Sequence, residues 1–247
     1  EIFYLILLGF LTTLSLPPYN FFIINFLTFP LLFIFFFRKK IENNNKKIFS
    51  FKYGWLFGFG YFLSSLYWIS IALTFDETFK FLIPIGLILV PSFLAIFYGV
   101  ISYFFFKYKS KNDIELFFLF CILFGILEFL RGNILTGFPW NLIAYSFSES
   151  IKFIQIISFI GTYSFNLVCI SIFSCPALMV LKRSNTSVLV TLFFFLLSIF
   201  FYVFGFYQIN KFSLIENKKH DFTIRSLATN VKIDRFFSSK DDTEIIN

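Results

Sequence analysis

The sequence predicts an all-α polytopic membrane domain of about seven transmembrane helices, followed by the opening strand of a soluble domain. Three observations predict it. The 247 residues are 58% hydrophobic and only 14% charged, against about 25% charged residues in soluble domains. Forty-five residues are Phe, more than one soluble core could bury. The basic residues alternate in number from one inter-helix loop to the next, as they do when charge sets the orientation of a membrane protein. A disordered chain is excluded too, because it would need low hydrophobicity and high charge.

The elements follow from the charges and breakers that punctuate the apolar runs. Residues 2–37 hold no charge, but Pro17, Pro18, Tyr19 and Asn20 divide them into helices over about 3–16 and 21–37. The next predicted spans are Tyr53–Phe75, Phe81–Phe106, Ile114–Leu130, Phe153–Leu181 and Ser187–Ile209. Each interior run is long enough to cross, with 114–130 at the short limit. The opening run lacks a basic flank and a small-residue cleavage site and reads as a first span. Pro91 and Pro176 are expected to kink the fourth and sixth helices. From about Asn210 the character changes, and Phe222–Asn230 alternates enough to read as a strand opening a soluble domain. The expected division is 1–209 for the membrane domain and 210–247 for the linker and the start of the soluble one. With no initiator Met at Glu1 and a polar segment at Asn247, the chain is expected to be a fragment at both ends.

The loops decide the orientation. Arg38, Lys39, Lys40, Lys46, Lys47, Lys107, Lys109, Lys111, Lys182 and Arg183 fall in one set of loops, and only Lys80, Arg131 and Lys152 fall in the other. Ten basic residues against three place the even-numbered helix ends in the cytoplasm. The segment after the seventh helix is then outside. The net charge of +7 belongs to this pattern and does not call for nucleic acid.

The stretch richest in potential chemistry runs from Glu128 through Arg131, Gly132, Thr136, Gly137, Phe138, Pro139 and Trp140 to Tyr145 and Ser146. Glu128 and Arg131 are three apart, so on a helix they share a face and can pair. Two glycines, a proline and aromatic rings cannot continue a regular helix, so a re-entrant or interfacial loop is expected on the outer side. Two roles stay open: a helix end closed by an ion pair and an aromatic belt, or a substrate-facing loop, since ionisable residues within membranes are functional candidates. Gly54, Gly58 and Gly60 point to close helix packing. Tyr67 and Trp68 suit an interfacial anchor, and Asp76, Glu77 and His220 suit solvated surface. Cys121, Cys169 and Cys175 lie in apolar runs with neither metal spacing nor a base nearby. No catalytic set, cofactor site or metal site can be assembled.

These residues resemble bacterial apolipoprotein N-acyltransferases. The resemblance rests on Leu14 through Pro17-Pro18-Tyr19, Gly54–Tyr61 with Leu66–Ile69, Leu130-Arg131-Gly132, the Thr136-Gly-Phe-Pro-Trp140 block with Tyr145-Ser146, Phe159–Asn166, and Ile224–Val231. It implies a helical membrane domain followed by an outward-facing, here truncated, αββα nitrilase-like domain, in the bacterial inner membrane with the residues after the seventh helix periplasmic. It also implies a two-step acyl transfer through a Cys thioester. A Glu serves as general base and a Lys holds the oxyanion, moving the acyl chain from a phospholipid donor to a lipidated lipoprotein acceptor without a cofactor. Those three positions would all lie beyond Asn247, so the fragment alone should be inactive. Within the chain, Glu128, Arg131, Trp140, Tyr145 and Phe237 are the candidate substrate-binding residues. Arg131 is expected to meet a lipid phosphate and the aromatics to line the acyl entrance. Phe237 stands where many members carry a Trp, and Asn230-Val-Lys-Ile is a loose version of the usual Asn-Ile-Pro-Gln. A multi-pass transporter and a non-catalytic anchor of the same descent are the alternatives, although no repeat between halves is visible.

Overall fold

A computed structural model describes residues 1–42, 50–75, 77–135 and 137–213, together with 223, 225 and 226. All the regular secondary structure among the described residues is helical. In order the helices are α1 (Ile2–Thr13), α2 (Asn25–Glu42), α3 (Phe51–Leu66), α4 (Ile83–Lys107), α5 (Asp113–Asn133), α6 (Ile151–Ile154), α7 (Ile157–Ile160), α8 (Thr162–Ser174), α9 (Pro176–Leu181) and α10 (Asn185–Ser213).

The helices differ from seven uniform crossings. Five segments are long and apolar enough to span: Phe22–Ile41, Phe51–Thr74, Glu77–Lys107, Thr162–Leu181 and Asn185–Ser213. The first predicted helix is only 12 residues long. The fifth has 21 residues but carries Asp113, Glu115, Glu128 and Arg131; one face, with Phe117, Phe120 and Phe124, is buried, and the other, with Phe118, Ile122, Ile126 and Phe129, is exposed. The third changes to 3₁₀ geometry over Tyr67–Thr74 instead of staying α-helical to Phe75. The sixth is broken: Gly161 at φ 80° ends α7, and Pro176 opens α9 from its first position, where its missing N–H costs nothing. No strand occurs among the described residues, and the predicted strand over 222–230 lies outside them but for residues 223, 225 and 226.

Apolar burial does not draw helices together inside lipid, so close packing must hold them. Glycines allow α3 to touch its neighbours through backbone: a Cβ at Gly54 would stand 1.9 Å from the Tyr98 carbonyl of α4, and one at Gly9 would stand 2.1 Å from the Phe57 carbonyl. Elsewhere Phe rings interlock. Phe33 of α2 meets Phe105, Phe117 and Phe120 edge-on at 6.3, 6.0 and 5.4 Å, and Phe173 of α8 stacks on Phe147 at 5.4 Å. Edge-to-face pairs of this kind contribute about 0.5–1.5 kcal/mol each beyond their buried area.

Contacts between helix ends define the two ends of the bundle. At one, Lys39 pairs with Glu1 at 2.8 Å. Buried Lys40 there donates to the carbonyls of Phe105 (2.8 Å), Phe106 (3.2 Å) and Tyr108. Lys40 thus closes the C-terminus of α4, whose last carbonyls have no partner inside the helix and carry negative partial charge. Replacing Lys40 with Met is expected to lower stability by about 1.5–3 kcal/mol, the worth of hydrogen bonds to a charged group. Unfolding of the purified variant in detergent, compared with wild type, measures it. The opposite end gathers the Pro17–Asn20 turn, the end of α3 and the segment after α5. There Asn20 Nδ2 donates to Glu149 Oε1 at 2.5 Å.

Candidate functional site at the end of α5

The site begins with a helix that ends in charge. Asn112 caps α5, its side chain accepting from the backbone N–H groups of Ile114 (2.9 Å) and Glu115 (3.1 Å). Twenty-one residues later the helix stops at Asn133. Its last two turns carry Glu128 and Arg131, each only 1% exposed. Their i,i+3 spacing brings the side chains together: Arg131 Nε donates to Glu128 Oε2 at 3.2 Å, and Nη2 donates to the same oxygen.

The other arm of the guanidinium reaches forward along the chain. Nη1 donates to the carbonyls of Phe138 (2.7 Å) and Trp140 (2.9 Å), while the Phe138 N–H returns to the Arg131 carbonyl at 2.8 Å. One planar cation therefore joins a carboxylate to a loop, a task its rigid fork of donors suits. The loop can fold back because Leu135, Gly137 and Asn141 take positive φ values of 52°, 79° and 58°. At Gly137 a Cβ would lie 2.4 Å from the Gly132 carbonyl, so glycine is required there by space as well as by φ. The Phe62 ring covers the guanidinium at 5.2 Å from its centroid.

α3 supplies the floor. The Tyr61 hydroxyl donates to the Asn141 carbonyl at 2.7 Å, and Trp68 meets Trp140 edge-on at 6.3 Å. On the far side Asn166 Oδ1 of α8 accepts the Ala144 N–H at 2.9 Å, fixing the 3₁₀ turn Ile143–Phe147 that carries Tyr145. Tyr145 donates to the Pro139 carbonyl at 3.3 Å. The result separates two kinds of residue. Glu128 and Arg131 lie inside, whereas Trp140 is 56% exposed and Tyr145 half-buried at the surface.

Four of the five sequence candidates are thus gathered at one end of the bundle, and Phe237 lies outside the described residues, as does Thr136. Arg131 has no exposed face for a lipid phosphate in this arrangement, because burial and its four donated bonds direct the guanidinium inward. Tyr61, Phe62 and Asn166 join the site only in the folded chain. Their roles depend on contacts across 22 to 80 positions of chain, which no local spacing reveals. Among the described residues no three His, Cys, Asp or Glu side chains gather as metal ligands.

Comparison with known proteins settles the family. The profile of the apolipoprotein N-acyltransferase N-terminal domain matches residues 8–175, which include α5 and the whole folded-back loop. The chain belongs to the apolipoprotein N-acyltransferase family. Proteins named apolipoprotein N-acyltransferase are similar along much of it. The one from Rhodopseudomonas palustris is 32% identical over 185 residues, 73% of this chain and 34% of its own length. That from Brucella melitensis is 32% identical over 177 residues, 69% of this chain and 33% of its own. That from Rickettsia prowazekii is 42% identical over 122 residues, 49% and 24% respectively. The chain therefore spans about a third of the length of the first two of these acyltransferases. The Arg131–Trp140 clamp falls inside the matched domain.

Proposed function

We propose that the chain is the membrane half of an apolipoprotein N-acyltransferase, presenting lipid substrates to a nitrilase-like domain that begins near residue 210 and faces the periplasm. The match of the N-terminal domain profile across residues 8–175 carries this reading. In it, an acyl chain leaves a phospholipid to form a Cys thioester and then passes to the α-amino group of a lipidated N-terminal Cys on a lipoprotein. The general base, the oxyanion-holding Lys and the nucleophile belong to the soluble domain beyond Asn247. Phe237 is assigned to the lipid platform at the start of that domain.

Within the membrane half, Trp140 and Tyr145 are the residues that touch the lipid substrate. Their indole and phenol combine an apolar body with a polar tip, which suits the boundary between headgroups and acyl chains. Glu128 and Arg131 serve the same site from behind, as positioning residues that hold the loop. This division keeps the charges off the lipid path and gives the aromatics a fixed platform.

Two experiments test the reading. The coding sequence past Asn247 should continue into an αββα pattern with a Glu, a Lys and a Cys; a continuation without the Cys overturns the enzyme assignment. In the complete enzyme, Trp140→Ala should lower lipid transfer at least about tenfold, equivalent to ~1.4 kcal/mol in the barrier, while gel filtration and helicity stay as in wild type. Unchanged turnover would remove Trp140 from the site.

A further inference from the structure

A pocket of about 360 Å³ lies between the ends of α1 and α3, lined by Phe10, Thr13, Leu14, Leu63 and Ser64, with Tyr19 and Tyr67 among its walls. Phe10 and Thr13 belong to the last turn of α1, with Leu14 just beyond, and Leu63 and Ser64 belong to the last turn of α3. The pocket therefore sits within about one helical turn, ~5 Å, of the helix ends, at the bundle end that also carries Trp68 and Trp140. Its two tyrosines are 59% and 56% exposed.

The hydrogen bonding of the wall decides what fills the space. Among the described residues, Thr13 and Ser64 are its only side-chain polar groups apart from the two exposed phenols, and each is already satisfied by protein. Thr13 Oγ1 donates to Ser64 Oγ at 2.6 Å, and Ser64 Oγ in turn donates to the Gly60 carbonyl at 2.8 Å. A buried water needs two to four polar partners, and apolar cavities without them stay dry and accept apolar ligands. A volume in the range of ligand sites, walled mainly by Phe10, Leu14 and Leu63 with its two hydroxyls already bonded, suits an apolar chain better than water.

We propose that this pocket seats one acyl chain of a bilayer phospholipid, with its headgroup beside the phenols of Tyr19 and Tyr67. The seat is separate from the Trp140–Tyr145 lip, shares no residue with it, and does not depend on the acyltransferase reading. It holds the lipid between the turn after α1 and the end of α3, whose next residues, Trp68 included, support the Trp140 loop.

The test uses the 247-residue chain in nanodiscs of phosphatidylethanolamine and phosphatidylglycerol, doped with a phosphatidylethanolamine carrying a diazirine along one acyl chain. After irradiation, peptide mapping compares labelling of Phe10–Leu14 and Leu63–Tyr67 with that of the lipid-facing stretch Leu192–Phe200 of α10. Several-fold stronger labelling of the pocket segments is expected. In Leu63→Trp and separately in Phe10→Trp, which fill the space from opposite walls, it should fall to the α10 level. Wild-type labelling no stronger than that of α10 overturns the proposal without recourse to either variant. So does strong labelling that neither filled variant reduces while keeping the wild-type gel-filtration profile. Because the readout is a covalent mark and not turnover, an inactive chain leaves the test intact.

Discussion

Replacing Arg131 with Met is expected to destabilise the chain by about 3–5 kcal/mol, the cost of leaving one member of a buried ion pair without its partner. The variant loses more than charge. Glu128, 1% exposed, keeps a carboxylate with nothing opposite it, and the carbonyls of Phe138 and Trp140 lose their common donor. Unfolding in detergent should show the loss, and limited proteolysis should open new cleavage within 134–142. The double variant Glu128→Leu/Arg131→Met separates the two contributions. Removing both charges relieves the carboxylate, since apolar replacements of buried pairs are often neutral or better, but the two carbonyls stay unpaired. Its stability should therefore recover only in part, and proteolysis of the loop should persist. Wild-type stability in the single variant would show that the clamp does not hold the loop.

Gly54→Leu is expected to be the most damaging change in the packing between helices, costing about 3 kcal/mol or more, at the top of the range for overpacked sites. Even the first added carbon meets the Tyr98 carbonyl at 1.9 Å and the Ser102 hydroxyl at 2.7 Å. That hydroxyl is part of the joint: it accepts the Gly54 N–H at 3.1 Å and donates to the Ser50 carbonyl at 2.9 Å. Neither obstacle is the free end of a long side chain, so α3 and α4 must separate. The folded fraction recovered after detergent extraction should fall sharply for Gly54→Leu and by less for Gly54→Ala. Equal recovery of Leu, Ala and wild type would mean that the two backbones do not meet at this position.

Some of this was legible in the amino-acid order. The long spans of α4 and α10 are uninterrupted apolar runs bounded by charges, and the i,i+3 spacing of Glu128 and Arg131 foretold their pairing. Gly54, Gly58 and Gly60 announced a close approach without naming the partner. The breaks were harder. Tyr67–Thr74 is as apolar as the helix before it, so its change to 3₁₀ geometry leaves no mark in a hydropathy pattern. Gly161 lies in an apolar stretch where a glycine can also pass as helix, and only its φ of 80° reveals the stop. Arg131 shows the limit most clearly. A charge at a helix end near an interface reads as available to a ligand, but the backbone turns at Leu135, Gly137 and Asn141 bring two carbonyls to it instead.

That arrangement bears on biogenesis. The partners of the Arg131 guanidinium lie three residues before it and seven and nine residues after it. By contrast, Tyr61 is tied to the same loop across 80 positions. The cation can be neutralised as soon as Trp140 has left the ribosome, before α8 and α10 exist. A helix that enters the bilayer with a bare guanidinium and carboxylate meets an insertion cost of about 2.5–3.5 kcal/mol per charge at mid-membrane. One that has already folded its own loop over the pair enters as a nearly neutral hairpin. The charged end of α5 is thus self-sufficient during synthesis, and the later helices dock onto a finished surface.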